Sequence, residues 1–459
     1  MKKLLLSLSP IILFGYTIDF ETSLHKTIEL NKGLQAKKLS INNAKLDLKI
    51  AGGYDYGSIV FNENISRTNN AGYVFGMKLS SREADFGAFG FNEFISQMNN
   101  LGTILGQNTL LSTQPEDLNH PESRTNYETK IKYEVPLFTG FKLKNAKKMA
   151  KLQILAKKAQ YNYDEKELGL EVLKAYNGAV TAKEFIKATK KAKKATASFV
   201  EYAHELLQEG LVTSIDVKQA KVYDMGVDAA SIDAQNRYEL AIAYLRFLTT
   251  DEKITDVGRF WNIENKITSI DQLQKKAHEN REDFISMRYN TQTMKSKIQM
   301  QKAEYFPTIG AQIEYGYNND QFNNINSEHD YYMGAVGFSY NLFDGFITTS
   351  KVEKAKIEYK KTKYYFDYMK DGIKLEVEKN LLTLEAKEKI LKQKIKANAL
   401  SDEVLEQSQE LYKNHLINMS NLLLQQANQQ KANAEMILAK YETSLAAGTL
   451  KVSLGKSLK

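Results

Sequence analysis

The chain has 459 residues, of which 26% are charged, with a formal net charge of +8 and no cysteine. The absence of cysteine excludes a disulfide framework, a thiolate metal site and a cysteine nucleophile. The excess lysine lies along helical stretches without a nucleic-acid-binding motif, so we interpret it as a solvated helix surface and expect no nucleic-acid partner.

The N-terminus is typical of an exported protein. Lys2 and Lys3 precede the apolar run Leu4–Phe14, which is too short to span a bilayer. We therefore predict a signal peptide over residues 1–15, with Gly15 at the cleavage site. No later segment is a candidate transmembrane helix, so we expect export through the inner membrane.

A short motif occurs twice. PLFTGF (136–141) returns as NLFDGF (341–346), which places Gly345 at an offset of 205 positions from Gly140. Such similarity between two segments of a chain indicates an internal duplication.

The flanking segments extend this duplication at a different offset. The segment 30–46 resembles 278–294, with Asn31 matched to Asn280 at an offset of 249. The larger offset indicates an insertion in the first copy, which we place at 82–125. We predict a first repeat over 16–250, a linking segment over 251–268 and a second repeat over 269–459.

Within each copy, some segments alternate between apolar and polar residues. Residues 129–137, 309–317 and 332–342 have this pattern, which predicts strands with one apolar and one polar face. Strands of about 9–11 residues cross a bilayer when tilted. A soluble β-sandwich has alternating strands too, but aromatic pairs near the strand ends favour a membrane barrel. These are Tyr54 and Tyr56, Phe138 and Phe141, Tyr305 and Phe306, and Phe343 and Phe346.

Two long helical stretches follow the strands. Residues 141–209 and 346–414 contain no proline, and each would be about 100 Å long as a helix. Val377, Leu384 and Leu391 recur every seven residues, which predicts packing against neighbouring helices. Because four strands cannot close a barrel and open sheet edges are not tolerated in lipid, several chains must share one barrel.

The order helix, strand pair, long helix, break and helix occurs twice, and it resembles the TolC-type outer-membrane efflux proteins over nearly the whole mature chain. Further marks are AEYFPTIG (303–310), EGLVTSIDVKQAK (209–221) and the segment 118–138. The resemblance implies an α+β membrane protein. It would have an internally duplicated, long α-helical periplasmic barrel, and four β-strands per chain would join a shared trimeric outer-membrane β-barrel.

The same resemblance implies the positions of the loops and of the linking segment. Residues 82–125 and 318–330 would be outer loops, and 251–268, with Trp261, would lie in a belt around the helical barrel.

The function implied by this family is that of a passive homotrimeric duct. It would lie in outer-membrane lipid of a Gram-negative bacterium and export drugs or small toxic compounds. An inner-membrane transporter would drive it through a periplasmic adaptor (membrane fusion) protein. The alternatives are the exit duct of a type I protein secretion system, a soluble coiled-coil scaffold and, more distantly, an enzyme.

The sequence contains no catalytic constellation. His204 and Glu205 begin an HExxH-like stretch that lacks the second histidine, so we expect no metal site, no catalytic residue and no cofactor.

The resemblance also assigns residues to sites. Strand–helix junctions are expected at Pro136, Gly140, Pro307 and Gly345. Adaptor-docking tips are expected at Gly210, Leu211 and Val212 of the first helix break and at His415 and Leu416 of the second. His415 departs from the pattern, because histidine accepts a positive φ less readily than glycine.

The periplasmic gate is expected at five positions. Asp216 matches the family's acidic partner and Tyr412 matches its tyrosine. Ile417 stands where an arginine would pair, while Asn421 and Leu424 stand where ring aspartates would be. We therefore expect an apolar constriction that gates by dewetting, with weak cation selectivity.

Overall fold

The computed structural model describes residues 15–100, 111–263, 269–322 and 326–458. Except for Gly15, the predicted signal peptide lies outside these residues, as do parts of the predicted segments 82–125, 251–268 and 318–330. The helices are α1 (Phe20–Leu30), α2 (Lys32–Gly53), α3 (Ala71–Ser80), α4 (Phe91–Asn100), α5 (Glu116–Asn119), α6 (Lys142–Gln208), α7 (Ser214–Thr249), α8 (Ile270–Asn280), α9 (Glu282–Lys302), α10 (Ile347–Lys413) and α11 (Met419–Ser453). The strands are β1 (Tyr16–Ile18), β2 (Ser58–Thr68), β3 (Arg124–Thr139), β4 (Ile254–Val257), β5 (Thr308–Asn319) and β6 (Asp330–Ser339).

The bounds of the helices repeat along the chain. Helices α6 and α10 both have 67 residues, and α7 and α11 have 36 and 35. Helix α10 begins 205 positions after α6, and α11 begins 205 positions after α7, as the repeated motif predicts. The α+β class and the internal duplication are thus confirmed.

At the N-terminal side of each copy, the predicted offset needs a small correction. Asn31 caps α1, whereas Arg281 caps α8. The offset is therefore 250 at this helix end, and the predicted match of Asn31 to Asn280 is wrong by one residue. The extra position is absorbed before the strands, since the 3₁₀ turns Tyr54–Tyr56 and Ala303–Tyr305 are 249 apart.

None of the helices in the described part of the chain combines the length and the apolar character that a membrane crossing requires.

The described residues divide into two units. The second unit takes residues 45–151 and 293–359 and contains a four-stranded antiparallel sheet in the order β2-β3-β5-β6. Along one row of this sheet, Ile59 pairs with Tyr133 and Tyr133 with Ile313. In the next row, on the opposite face, Lys132 pairs with Glu314. The sheet therefore has one apolar and one charged face, as the alternation predicts.

Two of the predicted outer segments differ from the structure. The connection from β2 to β3 begins after Thr68 and holds helices α3, α4 and α5, so the predicted insertion 82–125 is not a plain loop. Arg124, inside that range, already belongs to β3 and pairs with Glu83 and Ser81. The predicted loop 318–330 is shorter by a few residues, because β5 reaches Asn319 and β6 starts at Asp330.

The two repeated motifs adopt the same backbone conformation but differ in their relation to the strands. Gly140 and Phe141 have φ of 60° and 68°, and Gly345 and Phe346 have φ of 65° and 66°. PLFTGF lies at the end of β3, but β6 ends at Ser339, so NLFDGF follows the strand instead of closing it. The predicted continuation of that strand through Tyr340 and Leu342 is therefore wrong.

A phenylalanine in the left-handed region is unfavourable, and each motif compensates it in the same way. Phe138 and Phe141 pack edge to face with centroids 5.3 Å apart, and Phe343 and Phe346 do so at 5.6 Å. Such aromatic pairs contribute about 0.5–1.5 kcal/mol beyond the burial of their surface.

The two predicted proline positions interrupt backbone hydrogen bonding. Pro136 lies in β3 where the register with β5 shifts, and Pro307 lies between a 3₁₀ turn and the first residue of β5. Proline fits both places because it has no N–H to donate to the sheet.

The first unit takes residues up to Ala44, from Leu152 to Gln292 and from Lys360 onward. Its first core joins α1, the middle of α6, the end of α7 and the parallel pair of β1 and β4. Trp261, in the predicted linking segment, stacks on Phe20 at 5.0 Å. The Asn177 side chain donates to the Trp261 carbonyl at 3.0 Å and accepts from its N–H at 2.9 Å, which fixes the linking segment to α6.

The junction glycines provide a matched test of the fold. We expect Gly140→Ala to destabilise the protein more than Gly345→Ala. Both changes cost about 1–2 kcal/mol for the left-handed backbone. A Cβ at Gly140 would also lie 2.4 Å from the Ala303 carbonyl oxygen, whereas nothing lies within 4 Å at Gly345. Thermal midpoints of the purified variants in mild detergent measure the difference. Equal midpoints would contradict the crowding at Gly140.

Candidate functional site

The first helix break is closed by backbone hydrogen bonds around Gly210. The Leu211 N–H donates to Leu206 O at 2.9 Å and the Gly210 N–H to Leu207 O at 3.1 Å. With φ of 74° at Gly210, this is a Schellman turn, in which a left-handed residue satisfies the last carbonyls of a helix.

The second break repeats this turn with a different residue. The Leu416 N–H donates to Leu411 O at 2.9 Å and the His415 N–H to Tyr412 O at 3.0 Å. His415 has φ of 58°, so a histidine adopts here the left-handed conformation that glycine adopts at the first break. This costs about 1–2 kcal/mol.

The helices that leave the two breaks are capped by different side chains. Thr213 and Asp216 form a capping box in which Asp216 Oδ2 accepts from Thr213 N at 2.9 Å and from Thr213 Oγ1 at 2.7 Å. At the second break, Asn418 Oδ1 accepts from the Asn421 N–H at 2.9 Å. Asp216 is thus held by its own helix end. The pattern Thr-x-x-Asp is a capping-box motif, so this helix cap could have been predicted from the sequence.

The two breaks share one hydrophobic core, which we call the tip core. Its buried members come from all four helices that meet there: Ala203, Leu206, Val217, Ala220, Tyr412, Met419, Leu422 and Leu423. Tyr202 and Tyr412 pack edge to face at 5.8 Å, and Ser420 Oγ donates to Gln219 Oε1 at 2.8 Å. The duplicated halves are therefore joined side by side at their breaks.

The predicted docking residues separate into exposed and half-buried positions. Leu211 and Leu416 are 56% and 70% exposed, and Gly210 and His415 are exposed beside them. Val212 packs against the tip core instead. The sequence analysis did not include Ile215, which is exposed at the start of α7, four residues after Leu211, and borders a shallow groove with Val222 and Leu423.

The predicted gate residues also have distinct environments. Tyr412 is buried in the tip core, at 4% exposure, and Ile417 packs against that core. Asn421 is exposed and Leu424 is 54% exposed, and the two lie one turn apart on the solvent-exposed face of α11. The structure therefore places Asn421 and Leu424 on a free face and Tyr412 and Ile417 inside the core.

Burial and then the Asp216 carboxylate raise the pKa of the Tyr412 hydroxyl to about 12. Among the described residues, Tyr412 Oη has no hydrogen-bond partner. In the same part of the chain, no three histidine, aspartate or glutamate side chains come close enough to hold a metal ion. Tyr412 therefore contributes to the tip core through packing.

The environment of Tyr412 leads to a stability prediction. We expect Tyr412→Phe to keep or raise the thermal midpoint, because a buried hydroxyl without a partner costs about 1–3 kcal/mol. The raised pKa means that folding favours the neutral tyrosine. The stability that follows from this shift is fully present below pH 10 and is lost as pH rises toward 12. The phenylalanine variant should lose less stability over that range. Tyr202→Phe serves as the control, and a loss of stability at neutral pH in Tyr412→Phe alone would contradict this account.

Comparisons with known proteins agree with this architecture. The family model described as "Outer membrane efflux protein" matches residues 102–250 and 273–456. The chain is 23% identical over 209 residues to the outer membrane protein TolC of Vibrio cholerae serotype O1. That alignment covers 44% of this chain and 48% of TolC, so the match spans about half the length of the curated relative.

Solved structures match over almost the whole chain. A membrane protein from Pseudomonas aeruginosa aligns with a TM-score of 0.78 at 14% identity, covering 97% of this chain and 92% of that one. The CmeC outer membrane channel of Campylobacter jejuni aligns with a TM-score of 0.77 at 12% identity, covering 95% and 85%. Since the family model matches most of its length, the chain belongs to the outer membrane efflux protein family and is a protein of the Gram-negative outer membrane.

Proposed function

We propose that three copies of this chain form a passive duct that serves as the exit channel of a tripartite efflux system. The duct carries drugs and small toxic compounds. An inner-membrane transporter supplies the energy and a periplasmic adaptor joins it to the duct. The observation that carries this proposal is the four-stranded sheet, whose two edge strands and apolar face have no partner among the described residues of one chain.

The edges of the sheet support several copies per barrel. β2 pairs only with β3, and β6 pairs only with β5, so each outer strand of the described sheet presents free N–H and C=O groups on one side. An unsatisfied backbone group costs several kcal/mol in hydrocarbon. Pairing β2 of one copy with β6 of the next satisfies both edges, and three copies give twelve strands.

The two faces of the sheet support a water-filled interior and a lipid-facing exterior. On one face, Ile59 and Val336 are 74% and 72% exposed. On the other, Lys130 lies 2.9 Å from Glu128 and 3.7 Å from Glu314. Charged pairs are suited to a lumen, and exposed isoleucine and valine are suited to acyl chains.

The helices carry a second unpartnered surface. Large apolar side chains are exposed along α7 at intervals of seven or eight residues, with one interval of three: Ile215, Val222, Met225, Ile232, Leu240 and Phe247. A stripe at this spacing is typical of packing against another long helix. A neighbouring copy in the trimer supplies such a helix.

The breaks provide the end that meets the adaptor. Leu211 and Leu416 are exposed apolar side chains at two turns that the tip core holds together. Three copies present six such turns, which suits a repeated helical partner.

The proposed constriction lies on α11, where exposed residues follow one another along one face of the helix, which we call the exposed line. Asn421 and Leu424 lie on this line, and neither carries a charge. Asp216 is oriented by its own capping box, in which Oδ2 accepts both hydrogen bonds from Thr213, so we assign it to the helix cap and not to a lock between copies. The duct closes through apolar narrowing at Leu424, which excludes water when three copies approach.

The lipid-facing assignment is tested with neighbouring residues. We expect Val336→Lys to impair insertion of the trimer, since lysine on the lipid face costs up to about 2–4 kcal/mol per copy, depending on its depth. Ala335→Lys is the matched control, because Ala335 pairs with Gln312 on the polar face. Membrane fractionation and mass photometry in mild detergent report insertion and a mass near three chains. A stable monomer with intact strands, or equal effects of both substitutions, would contradict the shared barrel.

The docking assignment is tested at the tips. We expect Leu211→Glu combined with Leu416→Glu to abolish drug efflux and adaptor co-purification while the trimer and its insertion remain. Gln208→Glu adds the same charge at an exposed position beside the first break and should leave both unchanged. Susceptibility to several drugs and the set of secreted proteins are measured in the same strains. Normal resistance with lost secretion would replace drug efflux by protein secretion, and no change in either would contradict docking here.

A further inference from the structure

The exposed line of α11 continues beyond the proposed constriction. Asn421, Leu424, Asn428 and Lys431 are all exposed and follow one another at intervals of three or four residues. Side chains at this spacing share one face of a helix. Lys431 therefore lies on the same face as Leu424, about 10 Å farther along the helix at 1.5 Å per residue.

Lys431 is the first charged residue on this line. The sequence contains no aspartate or glutamate between Glu410 and Glu435. Among the described residues, no carboxylate lies within ion-pair distance of Lys431 Nζ. Lys431 acts electrostatically on Glu435, one turn farther on, but the Glu435 carboxylate is paired with Lys394 at 2.6 Å, and Glu442 is paired with Lys387 at 2.6 Å. The carboxylates that follow on α11 are thus neutralised by lysines of α10.

The neighbouring stretch of α10 does not supply a compensating carboxylate to this line. Asp402 accepts hydrogen bonds from Gln429 at 2.8 Å and from Asn398 at 3.1 Å, which directs it between the two helices. Glu403 and Lys396, one charge of each sign, are exposed on this stretch of α10. The narrow end is left with a positive charge from Lys431.

We propose that Lys431, present three times around the axis, determines the charge selectivity of the duct and favours anionic cargo over cationic cargo. This proposal replaces the weak cation selectivity expected from the sequence, which considered only the constriction and not Lys431. This inference rests on the proposed trimeric duct and on the placement of the Leu424 face toward its interior. The favoured cargo carries carboxylate, sulfonate or phosphate groups, and polycations are opposed.

The physical basis is the focusing of charge in a narrow passage. Low-dielectric walls concentrate the field of a few like charges, which raises the local concentration of counter-ions. The effect extends about 10 Å at 0.1 M salt and about 3 Å at 1 M. Selectivity from Lys431 should therefore be strong in dilute salt and weak in concentrated salt.

The experiment measures reversal potentials of single trimers in planar bilayers under a KCl gradient below 0.1 M. We expect the wild type to pass chloride about two- to fivefold better than potassium. Lys431→Gln should bring the ratio near one, and Lys431→Glu should reverse it. Lys440→Gln is the matched control, since Lys440 is an exposed lysine nine residues along α11 and half a turn around the helix. It should leave the ratio unchanged.

A closed wild-type channel does not prevent the test. Leu424→Gly widens the proposed constriction, so the Lys431 variants are also made in that background. Potassium preference in the wild type, or an unchanged ratio in Lys431→Glu, would overturn the selectivity assignment while leaving the duct intact. A trimer that conducts no ions in any background would overturn the duct, and the selectivity assignment with it.

Discussion

Every backbone N–H and C=O of a strand in lipid needs a partner, and this requirement governs the second unit of the chain. The described sheet has four strands and two free edges, which is too few strands to curve into a barrel alone. The apolar face, with Ile59 and Val336, has no covering element among the described residues either. Both deficits are removed by the same operation, the addition of identical copies edge to edge. In the proposed trimer, the apolar stripe on α7 becomes an interface between copies rather than exposed apolar surface.

The duplicated halves solve one geometric problem with different residues. Each long helix must reverse direction, and each does so through a Schellman turn of identical hydrogen-bond pattern. Glycine at 210 adopts the left-handed conformation without strain, whereas His415 adopts it at a cost that the shared tip core must offset. Tyr412 and Leu206 enter that core from opposite halves, so the two turns stabilise each other. The second turn depends on its surroundings more than the first.

Much of the architecture was predictable because its causes are local. The glycine-phenylalanine motif, the prolines and the alternation of side chains act over a few residues, and they placed the junctions, breaks and strands. The predictions failed where a partner decides the outcome. Alternation continues through Tyr340 and Leu342, but β6 stops at Ser339, because Thr308 is the first residue of β5 and Pro307 before it has no N–H. The helices between β2 and β3 and the burial of Tyr412 likewise depend on contacts that no single segment contains.

The role of Asp216 follows from the same distinction between local and shared interactions. Its Oδ2 accepts hydrogen bonds from the backbone N–H and the hydroxyl of Thr213, so the carboxylate is oriented within one turn of its own helix. A residue occupied in this way stabilises the start of α7 in any state of the duct, and a local cap of this kind typically contributes about 1 kcal/mol. In the proposed duct, closure then comes from groups that are free in one chain and meet only between copies. Leu424 is the group that we propose for apolar closure, which depends on temperature and packing more than on screening of charge. Lys431 is the second proposed group, and because like charges repel across the axis, it would oppose closure while it selects the ions that pass. Under these proposals, the narrow end balances apolar contact against charge repulsion on one helix face.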